Sequence, residues 1–596
     1  GIKMTSEKQT IKEKDIEEIN DSTNSFDNFR EHSVAEFFKK NKQMLGFSGK
    51  VRSLTTIIHE YVTNSLDAAE ENNILPSIFV KIEEIEKNER YKVIVEDNAG
   101  GIPKEYLGKA LGKILAGTKF HRFMQARGQQ GIGAAGCTMF SYITTGKPII
   151  VTSKHKNTKI EAEISIDIHK NEPIMNILRE EQLLDEKEAR GLKIIGEFAE
   201  VKYEESQYGV LEYLKRTSIV NPHVEITFVD PQNKKFLFPR SSDKIPKKPI
   251  EVQPHPLGLN AHDLFELIKK DDKHRTVEST LVNSLARFSK AKAIELQQML
   301  DFDLKMKKED FTWEHANKLV SAIKKVKWIA PALDSVIPIG KEQLEKAILS
   351  ILNPQHYSIT EREPKVYKGG IPFLVECAIA YGSSNDTQNL GKNNNAPSLK
   401  DSSEKNCKKA EIMRFANRVP LLFDSGSCAI TEAVKSIDWK RYNIDNFEEQ
   451  PITIVVNVSS VFIPYTGAGK QSIATEEEIV NEIRFALMEN ARNLQRYISG
   501  RRREQEILSK KKVLYRYVEQ LAKDISELSG IEKYESLRSK LIDLIEKRYL
   551  QSNNVDLSEE ELKALEEELE KENSENEENQ KEEKQKKLFE DEINEE

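Results

Sequence analysis

The sequence has few cysteines and no long apolar segment. Its four cysteines are scattered and form no Cys-x-x-Cys pair: Cys137, Cys377, Cys407 and Cys428. This spacing argues against a zinc site and a disulfide framework, and it favours a reducing compartment. No run of 18 or more apolar residues occurs in the 596-residue chain, so we expect no transmembrane helix. The polar first residues lack the apolar segment of a secretory signal.

The charge balance conceals a contrast between the body of the chain and its end. The formal net charge is −8, yet residues 556–596 contain 19 acidic and 6 basic side chains, a net of −13. The preceding residues therefore carry +5. A mildly basic body with an acidic tail is compatible with a nucleic-acid partner but does not by itself establish one. The length predicts several domains, since roughly 100–200 residues per domain is usual.

Three motifs within residues 57–136 together predict a nucleotide pocket. The first is a helix over residues 57–69. Glu60, Asn64 and Asp67 share one face of this helix because they are four and then three positions apart. Apolar residues form the other face. Taken alone, such a pattern is equally typical of an ordinary surface helix.

The second motif ends a predicted strand. Residues 91–95 are strand-like and pair in a hairpin with a strand at Ile82, and the sequence Asp-Asn-Ala-Gly-Gly follows at 97–101. Glycines let a ligand approach the backbone, and an ionised Asp97 accepts a hydrogen bond from an exocyclic amine. By itself this sequence is also typical of a plain Asn/Gly turn.

The third motif is a glycine loop, Gly128-x-x-Gly131-x-Gly133, which precedes an apolar run at 134–140. A glycine loop that leads into a helix N-terminus offers free backbone N–H groups to phosphate oxygens. Thr118 and Lys119 supply a hydroxyl and a cation for the same phosphates. A Rossmann turn needs a preceding strand, and residues 122–130 are not strand-like, so we exclude that interpretation.

After residue 249 the sequence becomes helical with basic surfaces. Strand-like runs between residues 149 and 238 complete a first α+β domain before that point. The predicted helices cover Ala261–Lys270, Thr276–Phe288, Lys290–Met299 and Thr312–Lys325. Lysine and arginine are dense here and acids are few. A solvated helical face and a small DNA-contacting module are both compatible with this pattern.

An α/β pattern returns after Pro331. Buried strands are predicted at Ile371–Ala380 and Ile452–Val461. Between them, residues 382–408 are rich in Asn, Ser and Lys, which predicts a disordered insert. A long helix is predicted through about Ile498, interrupted at Arg501–Arg503 and followed by a helical pair between residues 513 and 544.

A second glycine-rich stretch, Gly467-Ala468-Gly469-Lys470-Gln471-Ser472, invites a P-loop interpretation. That interpretation fails because Pro464 stands where the first glycine is needed. Gln471 also replaces the Ser or Thr that would contact a magnesium ion.

The three motifs resemble those of the GHKL ATPases, the family of gyrase-type topoisomerases, the heat-shock-90 chaperone, MutL and histidine kinases. Further blocks resemble the B subunits of type IIB topoisomerases, the topoisomerase VI class. These blocks are residues 33–47, 128–134, 221–223, 330–331, 338–340, 410–420, 439–442 and 465–471. The resemblance implies an α+β multidomain fold: a GHKL (Bergerat) ATPase sandwich, a helix-two-turns-helix domain, and an α/β transducer domain with a long C-terminal helix.

The same resemblance implies the domain boundaries. They are a flexible N-terminus at 1–30, the ATPase domain at 31–239, the helix-two-turns-helix domain at 240–328, the transducer at 329–512 with its insert at 382–408, and a helical acidic extension at 513–596. An amphipathic segment at 33–41 is either a helix packed on its own domain or an arm that reaches a dimer partner.

Site roles follow from the resemblance as expectations. Glu60 is expected to be the general base, Asn64 the ligand of Mg²⁺, Asp97 the acceptor for adenine and Lys440 the contact to the γ-phosphate. Ala99 departs from the glycine that many relatives have there. The full set expected to bind ATP is Asn64, Asp67, Asp97, Gly101, Thr118, Lys119, Arg127, Gly128, Gln129, Gln130, Gly131, Ile132, Gly133, Ala134 and Lys440.

The resemblance also implies the partners and the activity. ATP binding would dimerise two copies of the chain into a gate for one DNA duplex, while a separate A subunit cuts another, in a complex of two A and two B subunits. The expected location is the cytoplasm, associated with the nucleoid, or the nucleus in a eukaryote. Two alternatives remain open: a dimerising ATPase clamp of the MutL or chaperone kind, and a scaffold that binds nucleotide without turnover.

Overall fold

The computed structural model describes residues 42, 46–114, 123–127, 133–167, 169–183, 190–382, 409–467, 469–530 and 533–553. The predicted flexible N-terminus, the amphipathic segment 33–41, most of the insert 382–408 and the acidic tail lie outside these residues. The chain forms two units, Gly1–Leu494 and Gln495–Glu596. The finer domain boundaries given above stay predictions.

The first unit begins with an eight-stranded mixed sheet in the order β5-β4-β3-β6-β2-β1-β7-β8. Its strands are β1 Ser77–Glu86, β2 Arg90–Asp97, β3 Ile149–His155, β4 Thr158–Asp167, β5 Glu172–Gln182, β6 Gly191–Ala199, β7 Glu225–Val229 and β8 Lys235–Phe238. The β1–β7 pair is parallel, and the other paired neighbours are antiparallel.

Four helices pack their apolar residues with the inward side chains of this sheet in one hydrophobic core. They are α1 Lys50–Glu71, α2 Lys104–Gly112, α3 Gly133–Thr145 and α4 Val210–Val220. In α1 the buried face carries Ile57, Tyr61 and Leu66, at the spacing that a helix needs to cover a sheet. The polar face of α1 is therefore turned away from the core, towards the cavity described below.

The hairpin β1–β2 fixes the second motif. Residues of β2 alternate between partly exposed and buried positions along the whole strand. Tyr91, Val93 and Val95 point into the core, and Asp97 is the next residue on the same face. A carboxylate thus occupies an inward position at the end of an otherwise apolar face.

A helical segment with its own hydrophobic core follows. Its helices are α5 Ala261–Lys270, α6 Val277–Ser284, α7 Lys290–Gln297 and α8 Trp313–Ile323, with short 3-10 turns at Pro256–Gly258 and Lys308–Asp310. Each lies within the range predicted for it. Capping boxes begin three of them, at Asn260, Thr276 and Thr312, because each of these side chains accepts the N–H of the third helical residue.

A second, six-stranded sheet follows, with a core order of β10-β11-β14-β12-β13 and β9 paired with β11. Its strands are β9 His356–Glu361, β10 Lys365–Tyr367, β11 Ile371–Tyr381, β12 Glu411–Ala416, β13 Val419–Pro420 and β14 Ile452–Ser460. Beside them lie α9 Lys341–Ala347, a π-helical turn Ile348–Leu352, α10 Ala429–Lys435, and 3-10 turns at Ser425–Ser427, Trp439–Tyr442 and Phe447–Glu449. The buried strands predicted near 371 and 452 are confirmed, since almost every residue of β11 and β14 is buried.

The last helices correct the sequence prediction. Helix α11 runs without a break through Glu477–Ser529, and α12 covers Tyr534–Asn553. The predicted interruption at Arg501–Arg503 was wrong, because arginine is a strong helix former and repulsion between exposed charges costs little. The helix ends instead at Gly530, whose φ of 61° lies in the left-handed region. In the described part of the chain, no helix is long and apolar enough to cross a membrane.

Candidate functional site

A cavity of about 800 Å³ lies over the polar face of α1. The predicted site residues that line it are Glu60, Asn64, Asp67, Asp97, Gly101, Arg127, Gly133 and Ala134. Thr118, Lys119 and residues 128–132 fall outside the described part of the chain. The structure thus brings together the three motifs that the sequence separates, as far as it describes them. A cavity of this size accommodates a nucleotide.

Glu60 stands where the helix α1 meets the start of α3. Its carboxylate lies so close to Gly133 that a Cβ at that position would overlap the Glu60 Oε2 atom. A larger residue at 133 would therefore displace the Glu60 carboxylate. Asn64, one turn further along α1, is exposed in the cavity. An acid and an amide therefore face the same space, next to the N-terminal end of a helix, whose N–H groups favour anions.

His59 is a cavity residue that the sequence motifs did not single out. Its Nε2 atom lies 3.9 Å from Glu60 Oε1, and its Nδ1 atom lies 3.2 Å from the hydroxyl of Tyr213. Burial lowers the pKa of His59, and the neighbouring carboxylate of Glu60 only partly opposes this effect. The imidazole is therefore largely neutral at pH 7 and leaves the charge of Glu60 uncompensated from this side.

Asp97 is a buried carboxylate with an almost complete set of hydrogen bonds. Its Oδ2 atom accepts from the hydroxyl of Ser65 at 2.6 Å, and its Oδ1 atom accepts from the N–H groups of Ala99 at 2.9 Å and Leu192 at 3.2 Å. Burial raises the pKa of Asp97, and these three hydrogen bonds lower it. The carboxylate is held in place as an acceptor at the cavity wall.

The turn after Asp97 shows why Ala99 is tolerated. Its side chain is buried in a small cluster with Ala69 and Ile74, so a methyl group fills space that a glycine would leave empty. Gly101 has no such freedom, since its φ is 69° and a Cβ would collide with the carbonyl oxygen of Lys154. Of positions 99 and 101, only 99 accepts a side chain, and this is where the chain has alanine in place of the glycine of many relatives.

Arg127 is bound mainly by protein groups. One terminal nitrogen donates to Asp67 at 2.7 Å and to Glu70 at 2.9 Å; the other donates at 2.6 Å to both Glu70 and Asn221. Although burial raises the pKa of Glu70, the charges of Arg127 and Arg418 hold it well below its ordinary value. The role of Asp67 and Arg127 in ATP binding stays a prediction. In the structure they form, with Glu70 and Asn221, a network of hydrogen bonds and ion pairs beside the cavity.

The segment 123–127, which carries Arg127, is fixed to the second-sheet region of the first unit. Gln125 exchanges two hydrogen bonds with the backbone of Ile337, at 2.9 and 2.7 Å. Asn417 donates to the carbonyl of Ala126 at 3.3 Å. The ion network is therefore one of the structures that connect the cavity to the second sheet.

Replacing Arg127 by methionine should strongly destabilise the first unit. The change leaves Asp67 and Glu70, two largely buried carboxylates, without their main counter-charge, and breaking such a pair costs about 3–5 kcal/mol when it is fully buried. Calorimetric unfolding should show a clearly lower midpoint than for the wild type. Arg179→Met is the control, because Arg179 is exposed and its pair with Glu181 is worth about 1 kcal/mol or less. Equal effects of the two changes would contradict a stabilising network.

Two lysines line this cavity, the exposed Lys109 of α2 and Lys470 of the second-sheet region, whereas Lys440 does not line it. Lys440 lies exposed on the 3-10 turn Trp439–Tyr442. Lys470 is in the glycine-rich loop that fails as a P-loop. Burial lowers the pKa of Lys470, and the charge of Glu60 raises it, so the two groups face the same space.

The cavity supplies few metal ligands of its own. Among the described residues, no group of three or more His, Cys, Asp or Glu side chains could hold a metal ion. The amide oxygen of Asn64 suits a hard cation such as Mg²⁺, which often takes only one or two protein ligands and completes its shell with phosphate oxygens and water. The donor set therefore fits a cation that arrives with a nucleotide.

The cavity and sheet together define an ATPase of the GHKL class. A family model described as "Histidine kinase-, DNA gyrase B-, and HSP90-like ATPase" matches residues 52–190. A second model, "Topoisomerase VI B subunit, transducer", matches residues 331–511. The predicted fold class is confirmed.

Curated relatives of the chain agree on one family, the B subunits of type 2 DNA topoisomerase 6. The relative from Pyrococcus horikoshii is 43% identical over 568 residues, which cover 88% of this chain and 96% of the relative. The protein of the same name from Thermococcus kodakarensis is 42% identical over 582 residues, covering 90% and 98%. That from Methanothermobacter thermautotrophicus is 43% identical over 524 residues, covering 87% and 96%. The chain belongs to the topoisomerase VI B-subunit family.

Proposed function

We propose that this chain is the ATP-binding and ATP-hydrolysing B subunit of a type IIB DNA topoisomerase, in which nucleotide-driven dimerisation gates the passage of one DNA duplex through a break in another. The observation that carries the proposal is the cavity itself. It brings together an acid, an amide, a lysine and a buried carboxylate: Glu60, Asn64, Lys470 and Asp97.

Glu60 is the proposed general base. It has no strong counter-charge from His59, which burial keeps largely neutral. Its carboxylate lies at the N-terminus of α3, beside Gly133. A water between Glu60 and a phosphate at this helix end would be oriented for in-line attack and would transfer a proton to the carboxylate.

Lys470 is the proposed contact to the γ-phosphate, in the role that the family resemblance assigned to Lys440. It lines the cavity and interacts electrostatically with Glu60. A cation on the far side of the transferred group stabilises the charge that spreads over the phosphoryl oxygens in the transition state. Asn64 would hold Mg²⁺, which neutralises phosphate charge when bound.

Asp97 is the proposed selector for adenine. Its hydrogen bonds to Ser65, Ala99 and Leu192 fix the carboxylate in the cavity wall. Its oxygens can accept an additional hydrogen bond from the exocyclic amine of adenine. Guanine presents a carbonyl oxygen at the corresponding ring position and would be repelled there.

The partners follow from family membership. We propose an A subunit that carries out DNA cleavage, a complex of two A and two B chains, and contact between the basic helical segment and duplex DNA. That contact would be largely electrostatic and independent of sequence. The location proposed from the resemblance, with the nucleoid in the cytoplasm, is consistent with such partners.

Relaxation of supercoiled plasmid DNA tests the proposal. This chain mixed with a topoisomerase VI A subunit, ATP and Mg²⁺ should relax the plasmid, and neither protein alone should do so. A chain that hydrolyses ATP and dimerises but never supports relaxation would instead be a clamp of the MutL or chaperone kind. A chain that binds ATP without releasing phosphate would be a scaffold.

A further inference from the structure

The Lys470 loop is held in an unusual backbone conformation. Lys470 has a φ of 50°, a left-handed value that is uncommon for residues other than glycine. A bridge between Tyr465 and Ile473 closes the base of the loop, and the N–H of Thr466 donates to the carbonyl of Ser472 at 2.9 Å. Such a conformation persists only where the surroundings enforce it.

Two side chains attach this loop to the neighbouring segment at 421–424. The amide oxygen of Gln471 accepts from the N–H groups of Leu422 at 3.1 Å and Phe423 at 3.2 Å. In the other direction, the buried guanidinium of Arg414 donates to the carbonyl of Gln471 at 3.0 Å and to that of Phe423 at 2.8 Å. Two direct hydrogen bonds and a bridge through Arg414 therefore join the loop to one short segment of the chain.

That segment is in turn anchored in the ATPase region. Leu422 is part of the hydrophobic core formed with the eight-stranded sheet. The ring of Phe423 stacks on Tyr208 with centroids 5.7 Å apart, and the guanidinium of Arg52 lies 4.6 Å above it. Arg52, at the start of α1, also pairs with Asp424 at 3.1 Å. The helix that carries Glu60 and the loop that carries Lys470 thus share one anchor.

We propose that Gln471 and Arg414 are positioning residues that set the place of the Lys470 ammonium relative to Glu60. This inference rests on the role proposed for Lys470 and deepens it. Gln471 acts through its amide oxygen on the backbone of residues 422 and 423, and Arg414 acts through the two carbonyls it joins. Arg414 does not line the cavity; Gln471 does, but its amide oxygen is bonded to the backbone of residues 422 and 423. An error of about 1 Å in the position of a reacting or stabilising group can lower a rate by about 100-fold. Loss of the hydrogen bonds that fix this loop should therefore lower the rate of hydrolysis.

Gln471→Met tests the proposal, because methionine has a similar length and offers no strong acceptor. The variant should lower the kcat of ATP hydrolysis by roughly 10- to 100-fold, while the affinity for the non-hydrolysable analogue adenylyl-imidodiphosphate changes by no more than about 3-fold. Measurements use the full chain with its A subunit. Gln450→Met is the matched control, since the side chain of Gln450 donates to the nearby carbonyl of Asp445 and does not line the cavity.

A double-mutant cycle with Lys470→Ala separates positioning from direct contact. If Gln471 acts through Lys470, the methionine substitution has no further effect on kcat in the Lys470→Ala background. The proposal is overturned if the two losses multiply, if Gln471→Met weakens analogue binding instead of kcat, or if it changes nothing. A fully active Lys470→Ala variant would instead refute the role proposed for Lys470 itself.

Arg414→Lys provides a second variant that keeps the buried charge. A lysine can donate to one of the two carbonyls that Arg414 joins, so we expect a smaller fall in kcat than for Gln471→Met. This fall should also be absent in the Lys470→Ala background. Calorimetric unfolding checks that each variant is folded. An Arg414→Lys protein with wild-type kcat would contradict the part of the proposal that concerns Arg414.

Discussion

Replacing Glu60 by glutamine should lower the rate of ATP hydrolysis by about 100- to 10,000-fold, the range that general bases contribute. Glutamine has the shape of glutamate and fits the tight contact with Gly133, but it cannot accept the proton of the attacking water. Nucleotide binding should persist, because the change leaves Asp97, the proposed adenine acceptor, and the N-terminus of α3 in place. The ATP-bound dimer should then accumulate, because hydrolysis no longer returns it to the open state.

Two measurements separate the step that is lost from those that remain. Phosphate release reports hydrolysis, and the sedimentation of the chain with ATP reports the dimer. Glu105→Gln is the control, since Glu105 is an exposed residue of α2 that does not line the cavity. A Glu60→Gln protein that hydrolyses ATP and relaxes DNA at the normal rate would refute the proposed base and leave Asp67 as the next candidate carboxylate.

Local pattern was sufficient for the parts of the site that lie within one element. Glu60 and Asn64 share a face of α1 because of the helical repeat, and Asp97 points inward because it continues the alternation of buried residues along β2. The helices α5 to α8 were also predictable, since periodicity and capping residues act over a few positions. Periodicity does not assign chemical roles to these residues; the expected roles of general base, Mg²⁺ ligand and adenine acceptor come from the family resemblance.

Long-range contacts account for what the sequence did not reveal. The family resemblance places Arg127 among the expected nucleotide ligands, and the structure shows in addition that its terminal nitrogens donate to Asp67, Glu70 and Asn221. Asn221 lies 94 positions from Arg127, and no local sequence pattern predicts a hydrogen bond over that separation. The same limit applies to Ser65, whose hydroxyl holds Asp97 from a different element.

The choice between Lys440 and Lys470 shows the limit of motif reasoning. The loop at 467–472 does not satisfy the P-loop pattern, and although the block 465–471 carries part of the family resemblance, that resemblance assigned the γ-phosphate contact to Lys440. A P-loop lysine works because the fold places it on phosphates, and a different fold can place a lysine there with other neighbours. Here the second sheet presents Lys470 to a cavity whose other wall is α1, 410 positions earlier at Glu60.

Lys470→Ala should lower kcat for ATP hydrolysis by about 100- to 1,000-fold, the loss typical when one preorganised group that stabilises transition-state charge is removed. The affinity for ATP should fall less, because the ammonium group stabilises the transition state more than the bound ground state. Lys435→Ala, on the exposed side of α10, is the control. Lys440→Ala, measured without DNA, decides between the two lysines. If kcat falls in Lys440→Ala and not in Lys470→Ala, Lys440 has the role that the resemblance implies for it.

The pH dependence gives this prediction a second, independent readout. Because burial lowers the pKa of Lys470, the ammonium loses its proton at a lower pH than an ordinary lysine, although the charge of Glu60 partly opposes this. Hydrolysis by the wild type should therefore decline as the pH rises on the alkaline side. Lys470→Arg keeps its charge throughout that range and should show a flatter alkaline limb at a lower kcat. Identical alkaline limbs for the wild type and Lys470→Arg would show that the ammonium of Lys470 does not control the rate.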